Sequence, residues 1–190
     1  MVRSARALWF ATLTVLLGLV PVTGLADPPA DRAVEAAGGE VRNGFTPLHL
    51  AAMHGDLTQV KRILDAGHGA DPSQTVYRGT PLQYAAARGR VEVVRELLRR
   101  EATVDAVDWN GRTPLIWASM QGQTEVVHLL LDAGANIGAA NDGGWTPLHY
   151  AFSRGHEKTA AALIERGASQ ELLNGLGQTP LDVKGANAGK

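Results

Sequence analysis

The tripeptide Thr-Pro-Leu occurs five times in this chain. Its threonines are Thr46, Thr80, Thr113, Thr146 and Thr179, at intervals of 34, 33, 33 and 33 residues. Self-similarity at a fixed period of this length marks a row of equivalent units, and it constrains the fold more than any local propensity does. A single unit of about 33 residues cannot bury its own apolar face. Stacked neighbours can, and roughly three units are enough for a continuous core.

Each unit has the same internal order. The threonine is placed to cap a helix, its hydroxyl meeting free backbone N–H groups. Proline follows at the first helical position, where its missing N–H costs nothing. The leucine then points inward. Small pairs such as Ala51-Ala52 and Ala85-Ala86 let a neighbouring unit approach, and Gly55, Gly89, Gly122 and Gly155 turn the chain. A second helix carries Val60, Ile63 and Leu64, then Val94, Leu97 and Leu98, Val127, Leu130 and Leu131, and Ala160, Leu163 and Ile164. These spacings of three and four place the apolar residues on one helical face. Gly67, Gly134 and Gly167 end that helix in the left-handed conformation that glycine tolerates best. A segment such as 136–146 then projects sideways as a finger.

Thr-Pro-Leu-His, a small-residue helix, a glycine turn, a second helix and a Gly-Ala ending together resemble the ankyrin repeat, over about residues 41–184. The resemblance implies an all-α solenoid of stacked helix-turn-helix units with β-hairpin-like fingers. Its units are expected at 44–77, 78–110, 111–143 and 144–176, with a partial unit at 177–184 and a flexible tail at 185–190. It also implies that His49 and His149 bond locally to the threonine and to neighbouring backbone, and that His156 has a structural place in a turn. Departures from the pattern carry their own expectations. Glu101 stands where the helix-ending glycine belongs, which strains that turn. One extra residue in Gly67–Pro72 makes the next finger irregular, and Arg78 stands where other units have glycine. Leu181 and Val183 are expected to close the C-terminal end.

The first 26 residues differ in character. Arg3 and Arg6 precede an uncharged run from Leu8 to Val20, Pro21 breaks it, and Gly24-Leu25-Ala26 offers small residues to a signal peptidase. This is the three-part pattern of a cleavable secretory signal peptide. The competing reading is an uncleaved anchor, because Ala7–Ala26 is an uncharged stretch about long enough to span a bilayer. Residues 27–43 are read as an N-terminal capping segment. Cleavage would leave 16 basic and 19 acidic residues, a net charge of −3.

The 190-residue chain has a net charge of −1 and no cysteine. The charge offers no footprint for nucleic acid, and the cysteine count removes disulfides, thiolate metal sites and a cysteine nucleophile. With no Asn-x-Ser/Thr sequence either, the expected location is a bacterial periplasm. No phosphate loop, nucleophile elbow or paired histidine spacing is present, so no catalytic residue, metal or cofactor is expected. His54, His68 and His128 read as surface residues.

By the same resemblance, the expected function is non-catalytic binding of another protein by a monomer. The site is the concave face made by finger tips and first helices. Carried over by register, it comprises Arg42, Asn43, Phe45, Met53, His54, Val76, Tyr77, Arg88, Trp109, Asn110, Arg112, Met120, Gln121, Asp142, Trp145 and Arg154. Trp109 and Arg112 are placed at its centre, because aromatics and arginine dominate interface energetics. Trp117 and Tyr150 are assigned to packing. An inhibitor or immunity-type protein blocking an envelope enzyme or toxin would use the same face. A metal-dependent or enzymatic accessory is the third alternative.

Overall fold

The computed structural model describes residues 45–72 and 79–187, with side-chain surroundings as far as Lys184. The readings placed on residues 1–44, on Val76, Tyr77 and Arg78, and on 188–190 lie outside the described residues.

Nine helices are described, in four pairs and a single. They are α1 (Pro47–His54) and α2 (Leu57–Asp65), α3 (Pro81–Ala87) and α4 (Val91–Arg99), α5 (Pro114–Met120) and α6 (Thr124–Asp132), α7 (Pro147–Ser153) and α8 (Glu157–Glu165), and α9 (Pro180–Asn187). The odd-numbered first helices pack in sequence, each on the next, and the second helices α2, α4, α6 and α8 form a parallel row. The result is the expected all-α repeat solenoid.

Why the first helices start where they do is visible at the caps. Thr113 Oγ accepts from Ile116 N at 3.3 Å, and Thr80 Oγ accepts from Gln83 N at 3.3 Å while Gln83 returns a bond to Thr80 N at 2.7 Å. Reciprocal bonding of this kind satisfies two otherwise orphaned helix-end donors. The motif leucines Leu48, Leu82, Leu115 and Leu148 are all buried in one apolar core with Val60, Val94, Val127 and Ala160 from the second helices.

Two expectations about the ends need correction. Leu181, in the register of those four core leucines, is 51% exposed, and only Val183 is buried. Among the described residues no second helix follows α9, so nothing covers the face that Leu181 presents. Helix α9 also runs on to Asn187, past Lys184 where the last unit was expected to stop. At Glu101 the expected strain is present: its φ of +61° is the one positive value at a non-glycine position among the described residues.

A second ladder binds unit to unit. At the start of each second helix a long polar side chain reaches back to the end of the preceding first helix. Arg90 Nε donates to the Met53 carbonyl at 3.2 Å, Gln123 Nε2 to Ala87 at 3.4 Å and His156 Nε2 to Met120 at 3.2 Å. The turn glycine makes room for this crossing. At Gly122, with φ +72°, an added Cβ would stand 2.7 Å from His156 Nδ1. On the outer rim Arg100 bonds Asp65 in the preceding unit and Arg166 bonds Asp132 at 2.7 Å. Buried Glu96 is held by Arg99 and Arg100, and the Arg99 bond keeps its carboxyl below the ordinary range despite burial.

Candidate functional site

The face assigned to partner binding is built from finger and first helix, and the finger is organised by one acceptor. Asp108 Oδ1 receives Asn110 N at 2.9 Å and Arg112 N at 3.0 Å. Asn141 Oδ1 does the same for Gly143 N and Trp145 N, and Asn174 Oδ1 for Leu176 N and Gln178 N. Two backbone bonds close each of these three tips, for example Asp108 N to Arg112 O at 3.2 Å and Gly111 N to Asp108 O at 3.1 Å. These are hairpin-like turns, and among the described residues they contain no extended strand. With Asp108 turned inward, its neighbours Val107 and Trp109 turn outward and are 51% and 50% exposed.

The bases of three fingers stack on first-helix rings. Phe45 lies 5.1 Å from the Tyr84 ring, and Trp145 lies 5.3 Å from Tyr150. In the third unit the pair is Arg112 over Trp117, at 4.1 Å. The Arg112 Nε also donates to Asp108 Oδ2 at 2.8 Å, and the Trp117 indole donates to the same oxygen at 3.1 Å. The Arg112 carbonyl in turn accepts from Gln83 at 2.7 Å. Tyr150 receives a bond from Asn141 at 3.0 Å, and burial pushes its hydroxyl above the ordinary value.

This geometry sorts the expected site residues. Trp109, Arg88, Gln121, Asp142 and Arg154 are exposed, and Asn110, Met53 and His54 are half-buried. Arg112 is a correction: it was placed at the centre of the binding face as a side chain free of structural duty. It is 8% exposed and engaged by a carboxylate, an indole and a neighbouring glutamine. Met120 is also buried, unlike Met53, Ala87 and Ser153 at the same register, which are half-buried. Phe45 and Trp145 are half-buried and belong to the ring stacks just described. Trp117 and Tyr150 have the packing role expected of them. Reading by register missed Val107, although the inward Asp108 between it and Trp109 was the available signal.

The two motif histidines, His49 and His149, are structural. Nε2 of His49 lies 2.9 Å from the Gly79 carbonyl, an acceptor-only group, so Nε2 carries the hydrogen. Nδ1 then accepts from Thr46, whose hydroxyl is 2.8 Å away and whose N–H is at 3.3 Å. Burial lowers the His49 pKa to about 4. His149 repeats the arrangement against Thr146 and the Gln178 carbonyl, with its pKa also lowered by burial. Gln83 makes equivalent bonds in the second unit, to Ala106 O at 2.8 Å and Arg112 O. Among the described residues no group of three or more His, Asp or Glu is placed to hold a metal, and no helix is long and apolar enough to cross a membrane.

Stacked helix pairs, laterally projecting fingers and the threonine–histidine caps define a helical repeat protein. The profile described as "Ankyrin repeats (3 copies)" matches residues 26–108 and 48–141, and that described as "Ankyrin repeat" matches 143–175. The chain belongs to the ankyrin-repeat family. The first match takes in the segment 27–43 that was read as a cap. Similar curated proteins include the human Neurogenic locus notch homolog protein 4, 45% identical over 75 residues, which are 38% of this chain and 4% of that protein. Ankyrin repeat-containing protein NPR4 of Oryza sativa subsp. japonica is 40% identical over 75 residues, 30% of this chain and 13% of that protein. The chain therefore spans a small fraction of these relatives. Ankyrin repeats are protein–protein interaction modules, and the family is generally non-catalytic.

Proposed function

We propose that this chain is an exported ankyrin-repeat module that acts as a monomer in a bacterial periplasm and binds a partner protein through its fingers and first helices. Residues 1–26 are the signal peptide in this reading, and the mature protein begins at Asp27. Once the membrane is crossed the work is recognition alone, with no bond made or broken. The observation that carries the binding half is Trp109, held half in solvent at a finger tip whose frame is already satisfied by Asp108. Exposed aromatics on a rigid frame are where interface energy concentrates.

The test uses the partner recovered from the envelope fraction with the intact protein as bait. Trp109→Ala should weaken binding about 30-fold, the equivalent of about 2 kcal/mol, and leave the unfolding midpoint within experimental error. An unchanged affinity puts the site elsewhere. Intact-mass measurement on envelope protein checks export, and retention of Met1 in the cytoplasm overturns that half alone.

A further inference from the structure

The outer faces of the first helices share a pattern that the fingers do not. Positions four and eight residues after each of the first four motif threonines lie four apart, on one side of a helix. They read Leu50 and His54, Tyr84 and Arg88, Trp117 and Gln121, Tyr150 and Arg154. Helices α1, α3, α5 and α7 contain no Asp or Glu. Arg88 and Arg154 are exposed, and neither is in an ion pair among the described residues. The second-helix side is different: Asp65, Glu92, Glu96, Asp132 and Glu157 are all ion-paired there. Nearby finger carboxylates are mostly occupied. Asp108 is bonded to Arg112, and Asp105 accepts from Asn136 N at 3.1 Å, which leaves Asp142 exposed at the fourth tip. The first-helix face is thus a row of half-buried aromatic rings bordered by unneutralised positive charge.

We propose that this face receives an extended acidic segment of the partner protein, with carboxylates at Arg88 and Arg154 and apolar groups against the part of Tyr84, Trp117 and Tyr150 that the finger stacks leave in solvent. The proposal rests on the binding reading above and gives it a ligand chemistry. Arginine meets carboxylate in a two-pronged geometry that suits it to this role, and aromatic faces accept apolar side chains at little entropic cost. Nucleic acid fits less well. A row with two free arginines lacks the several phosphate contacts that carry such binding.

The experiment uses the full mature chain and three labelled peptides of equal length, with Leu alternating with Glu, Gln or Lys. The Glu peptide should bind, weaken as salt rises, and lose about 10-fold in affinity in Arg88→Ala and again in Arg154→Ala. Both substitutions lie at exposed side chains, and unchanged circular dichroism melts confirm that the variants fold. Equal binding of the Gln peptide removes the acidic chemistry and keeps the face. Binding of none of the three, preference for the Lys peptide, or a single-stranded oligonucleotide bound as tightly as the Glu peptide overturns the proposal. The Trp109→Ala measurement on the natural partner is independent of all these outcomes, so failure here is distinguishable from failure of the binding reading.

Discussion

Arg112 and Asp108 make a charge pair that can be exchanged for a neutral one already present in the same molecule. In the third finger, Asp108 Oδ2 takes the Arg112 Nε at 2.8 Å and the Trp117 indole at 3.1 Å, with both partners of the pair buried. In the fifth finger the same two positions are Asn174 and Gln178, joined by an amide–amide bond of 3.2 Å. Arg112→Gln strips the countercharge from a buried carboxylate. Removal of one partner of a buried pair costs about 3–5 kcal/mol, but Asp108 keeps two backbone N–H bonds and the indole. A loss of about 2–3 kcal/mol is therefore expected. Asp108→Asn leaves the guanidinium uncompensated, with a similar cost. The double variant installs the fifth finger's chemistry and should be no less stable than either single one. It still loses the guanidinium–indole stack, worth about 1–2 kcal/mol, so the cycle should show a coupling of at least about 2–3 kcal/mol. Urea unfolding followed by both tryptophan fluorescence and circular dichroism gives the four stabilities, and coincident curves validate the comparison. Additive losses, or single losses below about 0.5 kcal/mol, would refute a buried, mutually dependent pair.

Three other outcomes follow from the geometry. Glu101→Gly should raise stability by about 1 kcal/mol by relieving a left-handed residue, and an unchanged or lower urea midpoint would mean that the turn is not strained. The His49 pKa lies below its unfolded value near 6.5, so its contribution is complete above that pH and is lost as pH falls towards about 4; the loss should be on the order of 2–3 kcal/mol and should flatten in His49→Gln, which copies the non-titrating Gln83. Leu115→Ala, at a fully buried side chain, should cost about 2–5 kcal/mol by urea unfolding, and a cost under about 0.5 kcal/mol would remove Leu115 from the core.

Much of the fold was legible because the units repeat and the motif residues act locally. Threonine caps, N1 prolines, turn glycines and the inward leucines each have one physical purpose that a short window reveals. Glu101 was readable for the same reason: a glycine position without glycine. Contacts that cross between units were less legible. Arg112 looked like a free arginine on a finger, because its register says nothing of Trp117, five residues on, turning back beneath it. Met120 was assigned outward by register and is buried. Leu181 obeys the motif and yet lies open, since its burial depends on a helix that its own unit does not have among the described residues. The residues of the face that were named correctly as exposed, Trp109 and Arg88 among them, are those whose neighbours already satisfy the backbone.

The bonds from Arg90, Gln123 and His156 to Met53, Ala87 and Met120 have a consequence for how such chains are assembled over generations. In every case the acceptor is a main-chain carbonyl, which any amino acid supplies. The donor is a different residue type each time. A joint whose receiving half is indifferent to side-chain identity lets a whole unit be duplicated, deleted or exchanged by recombination without a matching change in the unit before it. The incoming unit needs only a long donor at the start of its second helix, because the turn glycine that the donor crosses, Gly55, Gly89 or Gly122, is already present in the unit before it. Divergence of the exposed positions can then proceed in each copy separately, with the seams between copies left intact.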